Sequence, residues 1–308
     1  MEASYSMKHP QQLLIRGYIF ARSIEREFDI GYIKLIYYFV FSRNNSINIK
    51  LKDGSNARLP LFKLGQLASL KQMGWDIVSV SDSHIKLCNL NGAIISCRLY
   101  EGYDFGHLIE IYEQKAYGSS FKDFNVIDVG ASNADSSIYF AKNGAKKVLG
   151  FEPDKRSYDL AVENIKASSV EDKVDIFNKA VSNSTGITQL IIYDRNPNAN
   201  SIDKENMVSI EDNKHRENVE AISLKDILKM FNSEAIGLLK MDCEGCEYKT
   251  LSALETKDFE LINRIYLEYH KGLQNLPEIL ETNGFTCKIY GDKDRMGYII
   301  AEKIGSVQ

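Results

Sequence analysis

Carboxylates recur in one setting in this sequence, directly behind short apolar runs. Asp128 and Gly130 close Val126-Ile-Asp-Val-Gly130, Glu152 closes Leu149-Gly-Phe-Glu152, and Asp242 closes Leu238-Leu-Lys-Met-Asp242, with Glu244 and Glu247 close behind. If the runs are strands of an open α/β sheet, these acids stand at the C-terminal lip, where such sheets bind ligands. Gly130 permits a sharp turn and a close backbone approach. Asp128 offers an acceptor to a cationic or hydroxylated group, and Glu152, 24 positions later, is placed to take both hydroxyls of a ribose. The Gly-x-Gly-x-x-Gly fingerprint is absent, since Ala131 and Ala134 stand near Gly130 instead, which argues for a ligand without phosphates. With Phe151 beside an adenine, the set describes S-adenosylmethionine better than a nicotinamide dinucleotide.

Methyl transfer to an alcohol needs in-line alignment and removal of a proton. His270 is the candidate general base, because it follows Ile265-Tyr-Leu-Glu-Tyr269 two residues after Glu268, and strand alternation places both on one face. Glu268 then orients the imidazole or binds acceptor hydroxyls. Asp242, Glu268 and His270 form the candidate catalytic set. Glu244, together with Asn200 and Ser201 from the polar stretch between Tyr193 and Asn218, is assigned to the acceptor; that stretch reads as a long loop able to fold over the pocket. No metal is expected: a metal-assisted route needs carboxylates converging with Asp242, and Glu244 and Glu268 are too few. Cys243-Glu-Gly-Cys246 lacks a second ligand pair, so its cysteines read as reduced, small apolar residues flanking a turn.

These residues require a scaffold of alternating strands and helices. Strands are predicted at Asn125 to Val129, Lys147 to Phe151, Val174 to Asn178, Gly237 to Met241 and Arg264 to Tyr269, with a closing antiparallel pair at Phe285 to Tyr290 and Gly297 to Ala301. Helices are predicted at Asp135 to Lys142, Lys155 to Ala167, Leu224 to Phe231 with Ser223 as N-cap, Glu244 to Leu254, and Leu273 to Asn283, and Asp154 reads as a cap. The fold class is therefore a doubly wound α/β sheet, mostly parallel, seven-stranded and Rossmann-like, with an antiparallel last strand. A helical segment (1–45) and a small α+β region (46–104) precede the main domain (105–308), which Phe105 to Tyr117 enters as a helix.

Together with Asn178-Lys-Ala-Val-Ser182, Met241-Asp-Cys-Glu-Gly-Cys-Glu-Tyr248 and Ile265-Tyr-Leu-Glu-Tyr-His270, the first two blocks resemble the FkbM-type methyltransferases, archaeal members especially. The resemblance spans about residues 105–303 and implies a class I methyltransferase fold, S-adenosylmethionine as donor, and O-methylation of a hydroxyl on a sugar or polyketide. By that resemblance Asp128, Gly130, Ala131 and Ser132 hold the methionine portion, Tyr117 closes over it, Glu152 takes the ribose, Ala180 meets the adenine edge through its backbone, and Asp242 stands between cofactor and acceptor. Ala134 departs from the family, which commonly has glycine there.

Composition bounds the alternatives. With 308 residues, 38 Lys plus Arg against 42 Asp plus Glu and a net charge of −4, the chain can bury a full core and has no global basic field to collect nucleic acid. A nucleic-acid or protein acceptor is the enzymatic alternative, and a non-catalytic binding module with the same fold is the contrasting class. Five scattered cysteines and no secretory segment point to a cytoplasmic protein. Residues 13–41, apolar with interspersed arginines, fit a peripheral contact at the inner membrane surface, packing on the main domain, or a contact within a homo-oligomer.

Overall fold

The computed structural model describes Phe28 and residues 46–50, 56–194, 196–202 and 214–305. Most of residues 13–41, and residues 51–55, lie outside the described residues. These residues divide into two compact units: one up to Leu90 with Ser96–Tyr100 and Asp104–Glu113, the other comprising Asn91–Ile95, Glu101–Tyr103 and the chain from Gln114.

In the first unit, strand β1 (Ser46–Lys50) pairs antiparallel with β2 (Asn56–Pro60). The helix Leu61–Gln72 follows and buries Leu64, Leu67 and Leu70. Strands β3 (Asp76–Val80), β4 (His84–Cys88) and β5 (Ile94–Arg98) form a three-stranded sheet in that order, with the Asn91-Gly92 turn between the last two. Its polar core is ionic. Asp104, 1% exposed, accepts the Arg98 guanidinium at 2.6 Å (Nη2) and 2.9 Å (Nε) and the Arg98 backbone N–H at 2.7 Å. The buried Lys63 ammonium donates to the Arg98 carbonyl at 3.0 Å. The expected helix from Phe105 to Tyr117 is shorter, Asp104–Leu108, and loosens into a π-turn over Ile109–Glu113 before Lys115 turns left-handed at φ 54°.

The second unit is built on β6 (Asn125–Val129), buried at all five positions as a strand covered on both faces must be. Its partners are β7 (Lys147–Phe151) and β8 (Val174–Phe177). A smaller sheet joins β9 (Ala180–Ser182), β10 (Gly186–Tyr193) and β11 (Lys214–Ser223) in the order β10-β11-β9. The chain then returns through β12 (Ile236–Met241), β13 (Arg264–Tyr269), β14 (Phe285–Gly291) and β15 (Gly297–Lys303). The large sheet has the order β14-β15-β13-β12-β6-β7-β8, with β15 antiparallel to both neighbours and the pairings from β13 through to β8 all parallel. This is the doubly wound, seven-stranded sheet that the sequence predicts.

The helices Asp135–Lys142, Lys155–Ala167, Leu224–Met230, Glu247–Ser252 and Leu276–Thr282 occupy the crossovers. Two are capped as their sequences require: the Asp154 side chain accepts the Arg156 N–H at 3.1 Å, and the Ser223 hydroxyl accepts the Asp226 N–H at 3.1 Å. Leu224, Ile227, Leu228, Leu251, Leu276 and Leu280 pack with Ile127, Leu239, Met241 and Leu267 into one buried cluster. Two expectations change. The polar stretch after Tyr193 is not a loop throughout, because Lys214–Asn218 extends β11 and pairs with Leu190, Ile191, Ile192 and Tyr193 and with Gln189 of β10. The helix expected from Glu244 starts only at Glu247, because Glu244 and Gly245 have φ of 56° and 112°. Among the described residues no helix is long and apolar enough to cross a membrane.

The Arg98–Asp104 pair yields a test of the first unit. Arg98 holds the Asp104 carboxyl below its ordinary range against the opposing effect of burial. Its stabilisation is therefore present above the unfolded carboxylate pKa and is lost as pH falls through the lower folded value. Asp104→Asn should cost about 3–5 kcal/mol at neutral pH. Urea melts from neutral to acid pH should show the gap from wild type narrowing only below the usual carboxylate range; a gap that does not vary with pH would exclude this account.

Candidate functional site

The lip of the large sheet is organised from underneath by one ion pair. Lys240 interrupts the apolar strand β12, and its register partner on β6 is Asp128. Both are buried, and the ammonium lies 3.1 Å from Asp128 Oδ1. Asp128 Oδ2 accepts the hydroxyls of Ser136 and Ser137, each at 2.6 Å, which ties the next helix to the strand. Lys240 also donates to the carbonyl of Gly130 at 2.8 Å. Asp128 thus braces the turn from below and presents no open carboxylate at the lip. Above it Gly130 adopts φ 76°, and a Cβ there would overlap the backbone carbonyl oxygen of Asp242. Only glycine allows the β6 and β12 loops to approach this closely.

On the neighbouring strand, Glu152 grips the same turn. Its Oε2 accepts the Ser132 N–H at 2.9 Å and its Oε1 accepts the Asp154 N–H at 2.8 Å. A carboxylate can accept about four hydrogen bonds, so anchoring the turn does not in itself exhaust it. Asn178 donates to the carbonyls of Glu152 and Pro153 at 2.9 and 3.0 Å, joining the β8 end to this corner and bringing in Ala180, the first residue of β9. Phe151 is buried and stacks on Phe177, ring centroids 5.1 Å apart. Gly130 and Ala131 donate to the Phe151 carbonyl, both at 3.0 Å. Ser132 and Ala134 both lie at positive φ, 46° and 64°. Alanine therefore stands in a left-handed conformation that glycine adopts more cheaply.

The other side of the lip is an acidic nest around one imidazole. β12 and β13 pair in parallel with Met241 opposite Leu267, so Asp242 and Glu268 leave adjacent strands side by side. His270 Nε2 lies 3.5 Å from Glu244 Oε2 and 3.8 Å from both Asp242 Oδ1 and Glu268 Oε1, while Nδ1 lies 3.4 Å from Glu247 Oε1. Cys243 and Cys246 form a disulfide, Cα atoms 5.5 Å apart, closing a small ring with Glu244 at its tip. This corrects the expectation of reduced thiols for that pair: the left-handed turn at Glu244 and Gly245 brings the sulfurs together. Glu247 is fully buried and accepts the Cys243 N–H at 3.3 Å. The Tyr248 hydroxyl donates to the Gly272 carbonyl at 2.8 Å and accepts the Lys271 N–H at 2.9 Å, pinning the turn behind His270.

Burial opposes charge on His270, but Glu247, Glu244 and Asp242 outweigh it and push its pKa up to about 10. These acids favour the protonated ring, whereas a general base needs the neutral one. The sequence reading counted one carboxylate beside the ring where the fold assembles four. Burial, opposed by His270 and reinforced by Asp242 and Glu247, pushes Glu244 up to about 7. Tyr117 stands edge-on to Tyr266, 4.6 Å between centroids, and burial and then Asp242 raise its hydroxyl well above its ordinary range.

Of the residues singled out from sequence, Asp242, Glu244, Glu268 and His270 converge, with Tyr117 near Asp242; Gly130, Ala131, Ser132 and Glu152 form the adjoining turn. Asn200 and Ser201 are engaged within the protein. Asn200 donates to Asp154 at 3.1 Å and accepts the Tyr193 N–H at 2.9 Å, and the Ser201 hydroxyl donates to the Glu244 carbonyl at 2.5 Å. They fasten residues 196–202 against the acidic turn. The sequence reading gave no role to Lys240 and left Glu247, though noted, unassigned. A lysine inside an apolar strand was the available signal, since a buried charge needs a partner.

The Methyltransferase FkbM domain matches residues 128–293. Methyltransferase sdnD of Sordaria araneosa is 24% identical over 188 residues, covering 52% of this chain and 73% of that protein. Among solved structures, a putative rRNA-methylase from Clostridium thermocellum is 11% identical, with TM-score 0.40, over 64% of this chain and 97% of that one. SMU.1697c, a putative methyltransferase from Streptococcus mutans in complex with SAH, is 13% identical, with TM-score 0.38, over the same shares of 64% and 97%.

Two stability predictions follow from the turn. Lys240→Met leaves Asp128 buried without its partner and should destabilise by about 3–5 kcal/mol, read as a lower urea midpoint; an unchanged midpoint would remove the ion pair from its central place. Ala134→Gly relieves the left-handed alanine by about 1 kcal/mol, offset in part by the flexibility glycine gains in the unfolded chain, so the melting temperature should hold or rise. A marked fall would show that the alanine is not strained.

Proposed function

Because the chain belongs to the FkbM methyltransferase family, we propose that it transfers a methyl group from S-adenosylmethionine to a hydroxyl of a sugar, glycan or related small molecule. The observation that carries this reading is the adjacency, on one sheet lip, of the Gly130–Glu152 turn and the acidic nest on β12 and β13. The bound donor supplies a methyl group on a positively charged sulfur, delivered in line to the acceptor oxygen.

The residues present fit such a donor. The glycine-dependent approach of Gly130 to Asp242 sets the β6 turn directly beside that acid. The backbone of Gly130, Ala131 and Ser132 binds the methionine portion, with Tyr117 closing its end. Glu152 takes the ribose hydroxyls, and the Ala180 backbone meets the adenine edge. Asp242, partly open at 29% exposure, places negative charge beside the sulfonium, which favours the donor over its neutral product. Asp128 acts as a positioning residue through Ser136, Ser137 and Lys240. Glu244, Glu268 and His270 surround the acceptor, a polar wall suited to a hydroxylated molecule, and Asn200 and Ser201 hold that wall in place. A net charge of −4 favours a small acceptor over a nucleic acid.

Calorimetric titration with S-adenosylmethionine and S-adenosylhomocysteine should show one site per chain, and no binding at millimolar ligand would end the enzymatic reading. Glu152→Ala should weaken both ligands by about tenfold or more, the worth of one charge-assisted hydrogen bond. Mass spectrometry of glycans and small molecules from cells with and without the gene should reveal a methyl difference on a sugar hydroxyl. A methyl difference confined to RNA or protein would replace the acceptor class.

A further inference from the structure

We propose that the Cys243–Cys246 disulfide is a reversible redox switch on the ligand lip: closed, it holds the turn after β12 against Gly130, and opened by a dithiol it releases that turn and weakens donor binding. What the switch regulates rests on the methyltransferase reading; the bond and its hold on the turn do not.

The bond lies where two loops touch. A Cβ on Gly130 would stand 1.8 Å from the Asp242 carbonyl oxygen and 3.5 Å from the Cys243 Cα, so the chain that carries the first sulfur is also the chain against which the Gly130 turn packs. Inside the ring, Glu244 and Gly245 adopt φ of 56° and 112°. A glutamate in the left-handed region is disfavoured unless its surroundings hold it there. The Ser201 hydroxyl helps by donating to the Glu244 carbonyl, and Glu247 accepts the Cys243 N–H at 3.3 Å, longer than an ordinary bond of that kind. The covalent link is the firmest of these restraints. Glu244 within the ring and Glu247 just after it stand on opposite nitrogens of His270, 3.5 Å from Nε2 and 3.4 Å from Nδ1. Opening the ring therefore loosens the acidic side of the lip together with its contact to Gly130.

A structural staple would be placed differently. Cross-linking restrains an unfolded chain more as the closed loop lengthens, and this bond joins residues only three apart in a unit with a large apolar core. Its effect is local. Cys88, Cys97 and Cys287 are free, so oxidation is confined to the pair beside the site. The Cys-x-x-Cys spacing sets a second thiol next to the attacked sulfur, which suits rapid exchange. Cys246 is 4% exposed and Cys243 only partly buried, so an incoming thiolate meets Cys243. It attacks Cys243 Sγ, the S–S bond breaks, and the electron pair leaves on Cys246, which takes up a proton. The second thiolate of the dithiol then attacks its own sulfur in the mixed disulfide and frees Cys243, which is protonated in turn. Two electrons and two protons pass to the protein, the reductant ends as a disulfide, and reoxidation reverses the exchange. Because binding is tighter with the ring closed, a bound ligand must favour the closed ring by the same factor.

The test uses the full chain in a series from wholly oxidised to wholly reduced dithiothreitol, with thiols counted after denaturation. The count should pass from three per chain to five. Hydrogen exchange should rise over residues 242–247 and around Gly130 on reduction, while the urea midpoint barely moves. S-adenosylhomocysteine should bind reduced wild type and the C243A/C246A chain about fivefold or more weakly than oxidised wild type, and the double variant should ignore the reductant. Saturating S-adenosylhomocysteine should lower the midpoint potential of the pair by about 20 mV, the same factor converted. Five thiols throughout the series, or exchange over the turn that is identical in both states, overturns the proposal, and so does a measurable product affinity that reduction leaves unchanged. Failure of the product to bind in either state ends the methyltransferase reading, and the exchange over the turn then decides for or against the switch alone.

Discussion

A lysine ammonium sealed between two parallel strands is the constraint from which the lip of this sheet is built. Lys240 and Asp128 are register partners on β12 and β6, so sheet pairing alone brings their side chains together. Each charge would be prohibitive to bury by itself, and their attraction is worthwhile only because further bonds complete the cluster. Those bonds go where the site needs rigidity: to two serines at the start of the helix Asp135–Lys142 and to the carbonyl of Gly130. Packing in the core and shape at the ligand edge are therefore set by the same few atoms.

The electrostatic consequence reverses a simple count of acids. Asp128, Glu152 and Asp242 look from sequence like three charges around one pocket. In the fold Asp128 is neutralised from below and Glu152 is partly occupied with backbone N–H groups, while Asp242, Glu244, Glu247 and Glu268 gather around His270. The field of the site belongs to its β12–β13 half.

What sequence could show follows from the range of the interactions involved. The strands of the large sheet were legible because buried parallel strands are short, apolar and bounded by turns, and the caps Asp154 and Ser223 are local bonds between residues a few positions apart. The left-handed turn at Glu244 was not legible, since a non-glycine residue at positive φ is stabilised there by tertiary surroundings, including Ser201, which comes from a distant segment. The crowding of acids around His270 was not legible for the same reason. Glu268 is its near neighbour in sequence, while Asp242, Glu244 and Glu247 reach it only once β12 and β13 have paired. Lys240 was visible as an anomaly in an apolar strand, but its partner lies 112 positions upstream.

The antiparallel insertion of β15 also has a temporal meaning. β13, whose end carries Glu268 and His270, has β12 on one side and β15 on the other, and β15 in turn holds β14. During synthesis the strands from β6 to β13 emerge first and can pair among themselves, leaving the far edge of β13 as bare backbone until residues 297–303 arrive. The acidic strand end is thus fixed on both sides only after β15 has been made, so a nascent chain carries its ligand lip half-braced until that strand slides between two that are already made.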